Sequence, residues 1–271
     1  MNLQEWHEQA RFFTEILGLE TSPVALNRVL RQSADGPQTK TRICRAIMDA
    51  AAGRETWVCK DNNACFGAVW HLGFQKIREP EILKMTKKFV VEGEKLFSSY
   101  SALEKLIEQM GEAPDHIGTC FHLQPLESAD TAPELVLIVC NPEQACRILT
   151  LVTFVDGIMP AIQIGGPTCR MAVIYPLLSG QVNISFYDYT ARKICQVEKD
   201  KLLISIPAAK FPDVVDSIDK CTAGTAKIEY PQDFKNFLQK RQRVGKNKRG
   251  RSPKPQKEDA VHHPSITYLS T

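Results

Sequence analysis

Residues 134–145 read Glu-Leu-Val-Leu-Ile-Val-Cys-Asn-Pro-Glu-Gln-Ala, and this stretch decides the class of fold. Its continuous apolar run, Leu135–Cys140, is typical of a buried β-strand. Asn141 then offers a side-chain cap, Pro142 suits the first helical position, and Glu143 places an acid in the first turn. A buried strand that passes directly into a capped helix predicts an α/β (or α+β) protein.

The same signals recur on both sides of this stretch. They predict helices at residues 2–17, 39–52, 64–72, 88–110 (in two pieces), 141–154, 169–178 and 208–218. They predict strands at residues 23–30, 55–60, 117–126, 134–140, 159–164, 182–187 and 202–206. We therefore expect one globular domain over residues 1–239.

A basic tail is predicted over residues 240–271. Residues 240–259 hold nine Lys or Arg and two acids, which leaves the rest of the chain at −4 although the whole carries +3. The tail is rich in Pro and Gly and poor in apolar residues, so we expect it to be disordered. It is able to track nucleic-acid phosphates, but a solvated tail without a specific partner is the interpretation we favour.

Two segments of the chain share one order of features. Each has a Cys-Arg pair, a glycine, a strand, a turn and a Cys-x-x-Ala-Val motif; the first begins at Cys44 and the second at Cys146. The two cysteines in each segment are 21 and 23 residues apart. We interpret this as an internal duplication, with α/β halves at about residues 20–112 and 113–222 packed about a pseudo-twofold axis.

Cysteines at helix starts are the candidate site. Cys65 and Cys169 occupy equivalent places in the two halves, each in the first turn of a predicted helix, and Cys44 also lies early in a helix. The positive end of a helix favours the thiolate, which is the form that binds metals and attacks electrophiles. We predict that Cys65, Cys169 and Cys44, with Cys120 as an uncertain fourth ligand, bind an iron–sulfur cluster or another thiolate-ligated metal between the halves.

Two other functions stay open at this point. The first is a metal-free thiol enzyme, in which Cys65 or Cys169 is a nucleophile or part of a redox pair. The second is a non-enzymatic regulatory module that holds a small anionic ligand at its helix starts. The chain has no Walker loop, G-x-G-x-x-G, G-x-S-x-G or H-E-x-x-H motif, so it carries no usual nucleotide or hydrolase signature. Whether it is an enzyme is left undecided.

The chain is expected to be cytoplasmic. Its first residues lack the basic and apolar regions of a secretory signal, and its apolar runs are far shorter than the ~18 residues that a membrane span needs. Its cysteines should therefore be reduced, and disulfides are not expected. We expect a small molecule or a redox protein as partner and no membrane; an oligomer is possible.

Several short motifs together resemble the ArCR family of uncharacterised proteins, domain-of-unknown-function family 169. These motifs are Cys44-Arg45-Ala46-Ile47, Cys65-Phe66-Gly67-Ala68 through Leu72-Gly73, Asn141-Pro142-Glu143-Gln144-Ala145, Cys169 with Ala172 and Pro176, Asn183-Ile184-Ser185, Ala191-Arg192 and Ile206-Pro207. Their order along residues 10–222 is more specific than any one of them.

The resemblance implies a cytoplasmic protein with the cysteine chemistry of an anaerobe, but no established activity. In the family, a small turn with Cys or Gly usually precedes the arginine that corresponds to Arg192. This chain has Phe-Tyr-Asp-Tyr-Thr at residues 186–190 instead. A family role for this loop is therefore not carried over.

Overall fold

A computed structural model describes residues 1–29, 39–74, 80–111 and 120–249 of this chain. It divides the chain into two units, Met1–Lys227 and Ile228–Thr271. The strands of the first unit are β1 Val24–Val29, β2 Thr56–Cys59, β3 Cys120–Pro125, β4 Leu135–Cys140, β5 Asn183–Ser185 and β6 Leu202–Pro207. Its helices are α1 Leu3–Leu17, α2 Ile43–Ala51, α3 Phe66–His71, α4 Pro80–Lys88, α5 Tyr100–Met110, α6 Pro142–Phe154, α7 Tyr175–Ser179, α8 Tyr189–Cys195, α9 Phe211–Asp216 and α10 Thr222–Thr225.

The strands form one antiparallel sheet in the order β2-β3-β1-β4-β6-β5. The prediction of an α/β protein is confirmed. Residues 134–145 form the predicted strand and helix. Strand β4 is a central strand, and α6 starts at a capping box. In this box the side chains of Asn141 and Gln144 each bond the backbone N–H of the other residue.

The prediction of a strand at residues 159–164 is wrong. No strand forms there, although the segment is mostly apolar. The backbone of Gln163 instead pairs with the side chain of Asn183, whose amide nitrogen donates to the Gln163 carbonyl and whose oxygen accepts from its N–H. An asparagine side chain thus takes the place that a neighbouring strand would fill.

Each face of the sheet carries its own apolar core. Alternate residues of a strand point to opposite faces, so Leu135 and Leu137 of β4 face one core while Val136 and Ile138 face the other. Helices α2, α3 and α8 cover the first face, together with a π-helical turn at Arg170–Ile174 that leads into α7. Helices α1, α6 and α9 cover the second face.

The strand order is symmetric, but its two sides do not coincide with the proposed halves, because β3 lies in the range 113–222 assigned to the second half. Strands β2-β3-β1 occupy one side of the sheet, and β5-β6-β4 occupy the other in the same order from the edge inwards. The positions of the helices, however, pair the cysteines differently from the sequence motifs, which matched Cys44 with Cys146. Cys44 on α2 and Cys169 both belong to the first core, whereas Cys146 lies exposed on α6, which covers the second face. By position Cys44 corresponds to Cys169, and the duplication itself stays a prediction.

Cys59 and Cys120 form a disulfide, contrary to the expectation of free thiols. They stand directly opposite each other in the antiparallel pair β2–β3, with their Cα atoms 4.1 Å apart, so their side chains meet on one face. That face is the second one, because Val58 and Phe121 next to them along the strands point into the first core.

The second unit holds a helix, α11, at Gln232–Arg249. The predicted boundary after Gln239 falls inside it, and the basic segment expected to be disordered is helical as far as Arg249; the rest of the predicted tail lies outside the described residues. Aromatic rings stack along its start, from Tyr230 through Phe234 to Phe237. Within the described residues, no helix is long and apolar enough to cross a membrane.

Candidate functional site

Four cysteines from four separate segments meet in the first core. Cys44 and Cys195 share a hydrogen bond between their side chains, Cys44 also interacts electrostatically with Cys169, and Cys169 interacts with Cys65. Three of the four are buried, and Cys65 is half-buried at the edge of the cluster. We call Cys44, Cys65, Cys169 and Cys195 the thiol cluster. It brings together the three predicted site residues Cys44, Cys65 and Cys169.

A short backbone pairing brings Cys44 and Cys65 to the same place. The segment before α2 runs beside the segment before α3 through a bridge between Thr41 and Asn63. The Thr41 N–H donates to the Asn62 carbonyl at 2.9 Å, and the Thr41 carbonyl accepts from Ala64 at 2.7 Å. Because the two helices start immediately after this bridge, their first cysteines lie near each other.

Two asparagine side chains, of which Asn62 is buried, hold the turn in front of Cys65. The Asn62 oxygen accepts from the Cys59 N–H at 2.6 Å, and its nitrogen donates to the Trp57 carbonyl at 2.8 Å. Asn63 bonds both the N–H and the carbonyl of Cys65. Cys65 thereby becomes the N-cap residue of α3 in an extended conformation, and its side chain does not cap the helix.

The Cys169 segment is fixed by Thr168 and Asp188. One Asp188 carboxylate oxygen accepts from the Thr168 N–H at 3.0 Å and from its hydroxyl at 2.8 Å. The other oxygen caps α8 by accepting from the Ala191 N–H at 2.8 Å. One carboxylate therefore joins the helical segment that begins at Cys169 to the helix that ends at Cys195.

The π-helical turn after Cys169 has its own supporting bonds. A π-turn departs from the regular α-helical bonding, so its carbonyls are open to other donors. The Met171 carbonyl accepts from the Asn183 side chain at 2.8 Å, and the Ala172 carbonyl accepts from the Ser205 hydroxyl at 2.7 Å. Strands β5 and β6 thus hold the turn against the sheet.

The prediction of acidic thiols at helix starts is wrong for two of the three predicted cysteines. Burial raises the pKa of the Cys169 thiol well above its usual value, with Cys65 and Asp188 adding to the effect. The hydrogen bond to Cys195, followed by burial, raises the pKa of the Cys44 thiol as well. The short helical segments at these cysteines cannot offset the loss of hydration of a buried thiolate.

Cys195 is the thiol that the site favours as a thiolate. The hydrogen bond that the Cys44 S–H donates to it lowers the pKa of Cys195, and the charges of Arg42 and Arg45 act in the same direction. Cys44 and Cys195 therefore form an unequal pair, in which Cys44 keeps its proton and Cys195 gives up its proton more readily.

Tyr187, in the loop after β5, is buried in the same core as the thiol cluster. It is 5% exposed, and its hydroxyl has no hydrogen-bond partner among the described residues. Its φ of 57° puts it in the left-handed region, which non-glycine residues rarely adopt. The hydroxyl interacts electrostatically with Cys44, Cys140 and Cys195. Burial raises the pKa of Tyr187, so the phenol is neutral.

His71 and Arg170 stand at the margin of the cluster. Burial, and then the charge of Arg170, lower the pKa of His71 to about 4, while Asp188 opposes this shift. The imidazole is therefore neutral at physiological pH. Arg170 is buried, and its guanidinium donates to the carbonyl of Met110 at the end of α5.

The structure does not bring Cys120 to the cluster. Cys120 is bonded to Cys59 on the second face of the sheet, so its sulfur is not free and points away from Cys44. Cys140 and Cys221 belong to the second core. Within the described ranges, no three His, Cys, Asp or Glu side chains are already placed to hold one metal ion.

Sequence reasoning missed Cys195, Tyr187 and His71. Cys195 has no motif of its own, and only the packing of α8 on the first face turns it towards Cys44. The one available signal was the position of residues 186–190, polar and aromatic residues that come directly after a predicted strand and before Ala191-Arg192. That loop contains Tyr187.

The sequence comparison places the chain in a family. A profile of the uncharacterised ArCR family (DUF169) matches residues 13–217. The protein belongs to this family, as its motifs suggested. No curated protein matches the chain, and no solved structure matches it.

Proposed function

We propose that the protein binds a thiolate-ligated cofactor, an iron–sulfur cluster, through Cys44, Cys65, Cys169 and Cys195. The observation that carries this proposal is that four cysteines from four segments belong to one core, with Cys44, Cys169 and Cys195 buried in it and Cys65 packed against it. Four cysteine thiolates are the common ligand set of [2Fe–2S] and [4Fe–4S] clusters. Cys195 takes the place that the sequence assigned to Cys120.

The chemistry of the donors supports a cationic centre. Cys44 and Cys169 are buried thiols that resist deprotonation on their own, because a thiolate loses its hydration there. A bound metal replaces the proton on each sulfur and so removes this penalty. Metal binding at Cys44 and Cys169 would therefore release their protons.

The arrangement favours a cluster over a single ion. One Zn²⁺ needs all its sulfurs at about 2.3 Å, hence close to one another. In a cluster the cysteines bind different iron atoms, so their sulfurs stand further apart. The four cysteines come from four different segments around the first core, as ligands to different iron atoms would.

Iron and acid-labile sulfide content test this proposal directly. The protein would be purified without oxygen, or reconstituted with ferrous iron and sulfide, and its visible spectrum recorded. We expect stoichiometric iron and sulfide, with both largely lost in the Cys169→Ser and Cys44→Ser variants. Cys146→Ser is the matched control, because Cys146 is an exposed cysteine on the second face, and it should keep the full content. A folded wild-type protein that takes up no iron and sulfide would end the proposal.

A second function has one observation in its favour, the unequal pair of Cys44 and Cys195. In a metal-free protein the Cys195 thiolate attacks one sulfur of an external disulfide and releases one thiolate. Cys44 then loses its proton and displaces the second external sulfur, which closes a Cys44–Cys195 disulfide. The two protein thiols are oxidised, and the external disulfide is reduced to two thiols.

Peptide mapping after exposure to a small disulfide tests this alternative. It predicts a Cys44–Cys195 disulfide as the main product, and a stable mixed disulfide on Cys195 in the Cys44→Ser variant. Equal modification of Cys195 and the exposed Cys146, without an internal bond, would count against it.

A further inference from the structure

The start of α11 carries a row of exposed aromatic rings. Tyr230, Phe234 and Phe237 are 48%, 43% and 50% exposed. Their ring centroids follow one another at 5.8 Å and 6.2 Å, with each pair of rings stacked. The guanidinium of Arg241 lies over the Phe237 ring, 5.7 Å from its centroid. Because successive members are three or four residues apart, these four side chains share one side of the helix. We call them the ring stripe.

The ring stripe lies in a strongly basic part of the chain. Residues 228–271 hold ten Lys or Arg and four Asp or Glu. No acid occurs between residues 234 and 257, so the sequence that follows the first ring pair is uniformly basic. Lys235 and Lys240 are exposed on the same helix. A surface of this charge attracts a polyanion.

The rings distinguish between the two polyanions that basic helices commonly bind. A helix that lies on an anionic membrane needs a long apolar face to enter the acyl boundary. In α11 the large apolar residues Phe234, Phe237 and Leu238 all lie near its start, and Val244 is the one apolar residue from 239 to 249. Unpaired bases, in contrast, stack on aromatic faces and on guanidinium planes. The ring stripe offers both kinds of surface in one row.

We infer that the ring stripe binds single-stranded RNA, with bases stacked on its rings and its guanidinium and with phosphates at the neighbouring Lys and Arg. Composition alone favoured a solvated tail, and the stacked rings are the observation that changes this interpretation. RNA is the expected source of unpaired bases, because its loops and ends expose them. The inference is independent of what the thiol cluster binds.

Affinity of the full chain for a labelled oligouridine, measured by fluorescence anisotropy, tests the inference. The double variant Phe234→Leu with Phe237→Leu removes two stacking faces but keeps apolar side chains, the charge and good helix formers. We expect it to bind about tenfold more weakly, because stacking is lost, and with an unchanged salt dependence, because the phosphate contacts remain. Phe234→Tyr with Phe237→Tyr is the matched control, since it retains both rings and should bind like the wild type.

An RNA duplex of the same length separates stacking from charge. Its bases are already stacked on one another, so the leucine variant should bind it as tightly as the wild type does. Equal losses on the duplex and the single strand would overturn the inference, because they would point to altered charge contacts or folding.

Other occupants of the ring stripe give different results, and each would also overturn the inference. A membrane partner predicts a wild type that binds phosphatidylserine vesicles and not oligouridine. A second copy, or another part of this chain, predicts a leucine variant with normal oligouridine affinity but a changed oligomeric mass or a lower urea midpoint.

Discussion

At the scale of single residues, burial decides the chemistry of the cysteines. A cysteine at a helix start is expected to be acidic, because the backbone N–H groups favour its thiolate. Cys44 and Cys169 lie at helix starts, yet the pKa of Cys169 is raised by burial, and the pKa of Cys44 is raised by its hydrogen bond to Cys195 and then by burial. Cys195, at the end of α8, has a lowered pKa because it receives a hydrogen bond and lies near two arginines. The surroundings of each thiol therefore affect its pKa more than its position in the helix does.

Alkylation rates should follow this order. In metal-free, reduced protein, iodoacetamide should modify the exposed Cys146 first and Cys169 much later, because Cys169 is both buried and protonated. Peptide mass spectrometry over time gives the rates for each cysteine. If Cys169 were modified as fast as Cys146, the thiol cluster would not be a buried site.

His71 should make the stability of the first unit depend on pH. Its folded-state pKa of about 4 lies below the ordinary value of 6.5, so only the unfolded chain binds the proton between these values. Its contribution to stability is full above about pH 6.5 and is lost as the pH falls towards 4. Arg170 and Asp188 are the charged groups that act on it.

Urea unfolding at pH 7 and pH 5 measures this effect. We expect the loss of unfolding free energy over this interval to be about 2 kcal/mol larger in the wild type than in His71→Asn. Equal losses in the two proteins would show that His71 is accessible to protons in the folded state.

At the scale of elements, two arginines stabilise loops by donating hydrogen bonds to backbone carbonyls. Arg192 donates to the carbonyls of Phe186 at 2.7 Å, Glu198 at 2.9 Å and Lys201 at 2.6 Å. It therefore ties the loop that carries Tyr187 to the segment that enters β6. Arg147 makes a similar set of bonds on the second face, to the carbonyls of Ile16, Ala223 and Gly224.

Removing either arginine should destabilise the fold, but only the loss of Arg192 should make Cys195 in the thiol cluster more accessible. Arg192→Met and Arg147→Met should each lower the free energy of unfolding by about 2–4 kcal/mol, because each leaves several carbonyls without a donor. Alkylation of Cys195 should speed up in Arg192→Met and stay as in the wild type in Arg147→Met. The same rate in both variants would mean that Arg192 does not hold the site together.

Local sequence signals predicted the elements where bonding is local. The asparagine cap of α6 and the apolar run of β4 need only neighbouring residues, and both were predicted. The strand expected at residues 159–164 needed a neighbouring strand, and the Asn183 side chain took that role. Composition alone suggested disorder over residues 240–271, whereas α11 extends to Arg249; the remaining residues of that range lie outside the described part of the chain.

At the scale of the whole molecule, pairing register decides which cysteines meet. The sequence predicted Cys44, Cys65 and Cys169 as one site, and all three belong to the first core. It could not exclude Cys120 or include Cys195. The direction of Cys120 depends on the register of β2 with β3, and that of Cys195 depends on which face α8 covers. Both are long-range properties of the fold.

The net charge also differs between the two units of the chain. Residues 228–271 carry ten of the 34 Lys and Arg and four of the 31 Asp and Glu, which leaves residues 1–227 at −3. From the sequence we expect any nucleic acid to bind through residues 228–271, here called the basic unit. A chain truncated after Lys227 should bind short single-stranded RNA more weakly, and with a flatter salt dependence, than the full chain. Equal binding by both chains would remove the basic unit from any role with nucleic acid.

The most direct test of the thiol cluster compares iron and sulfide content in two variants of anoxically purified protein. One is Cys195→Ser, and the other is the double variant Cys59→Ala with Cys120→Ala. The structure predicts that the first loses most of its iron and sulfide and that the second keeps both, because its cysteines lie on the opposite face of the sheet. Full content in Cys195→Ser together with loss in the double variant would contradict the account.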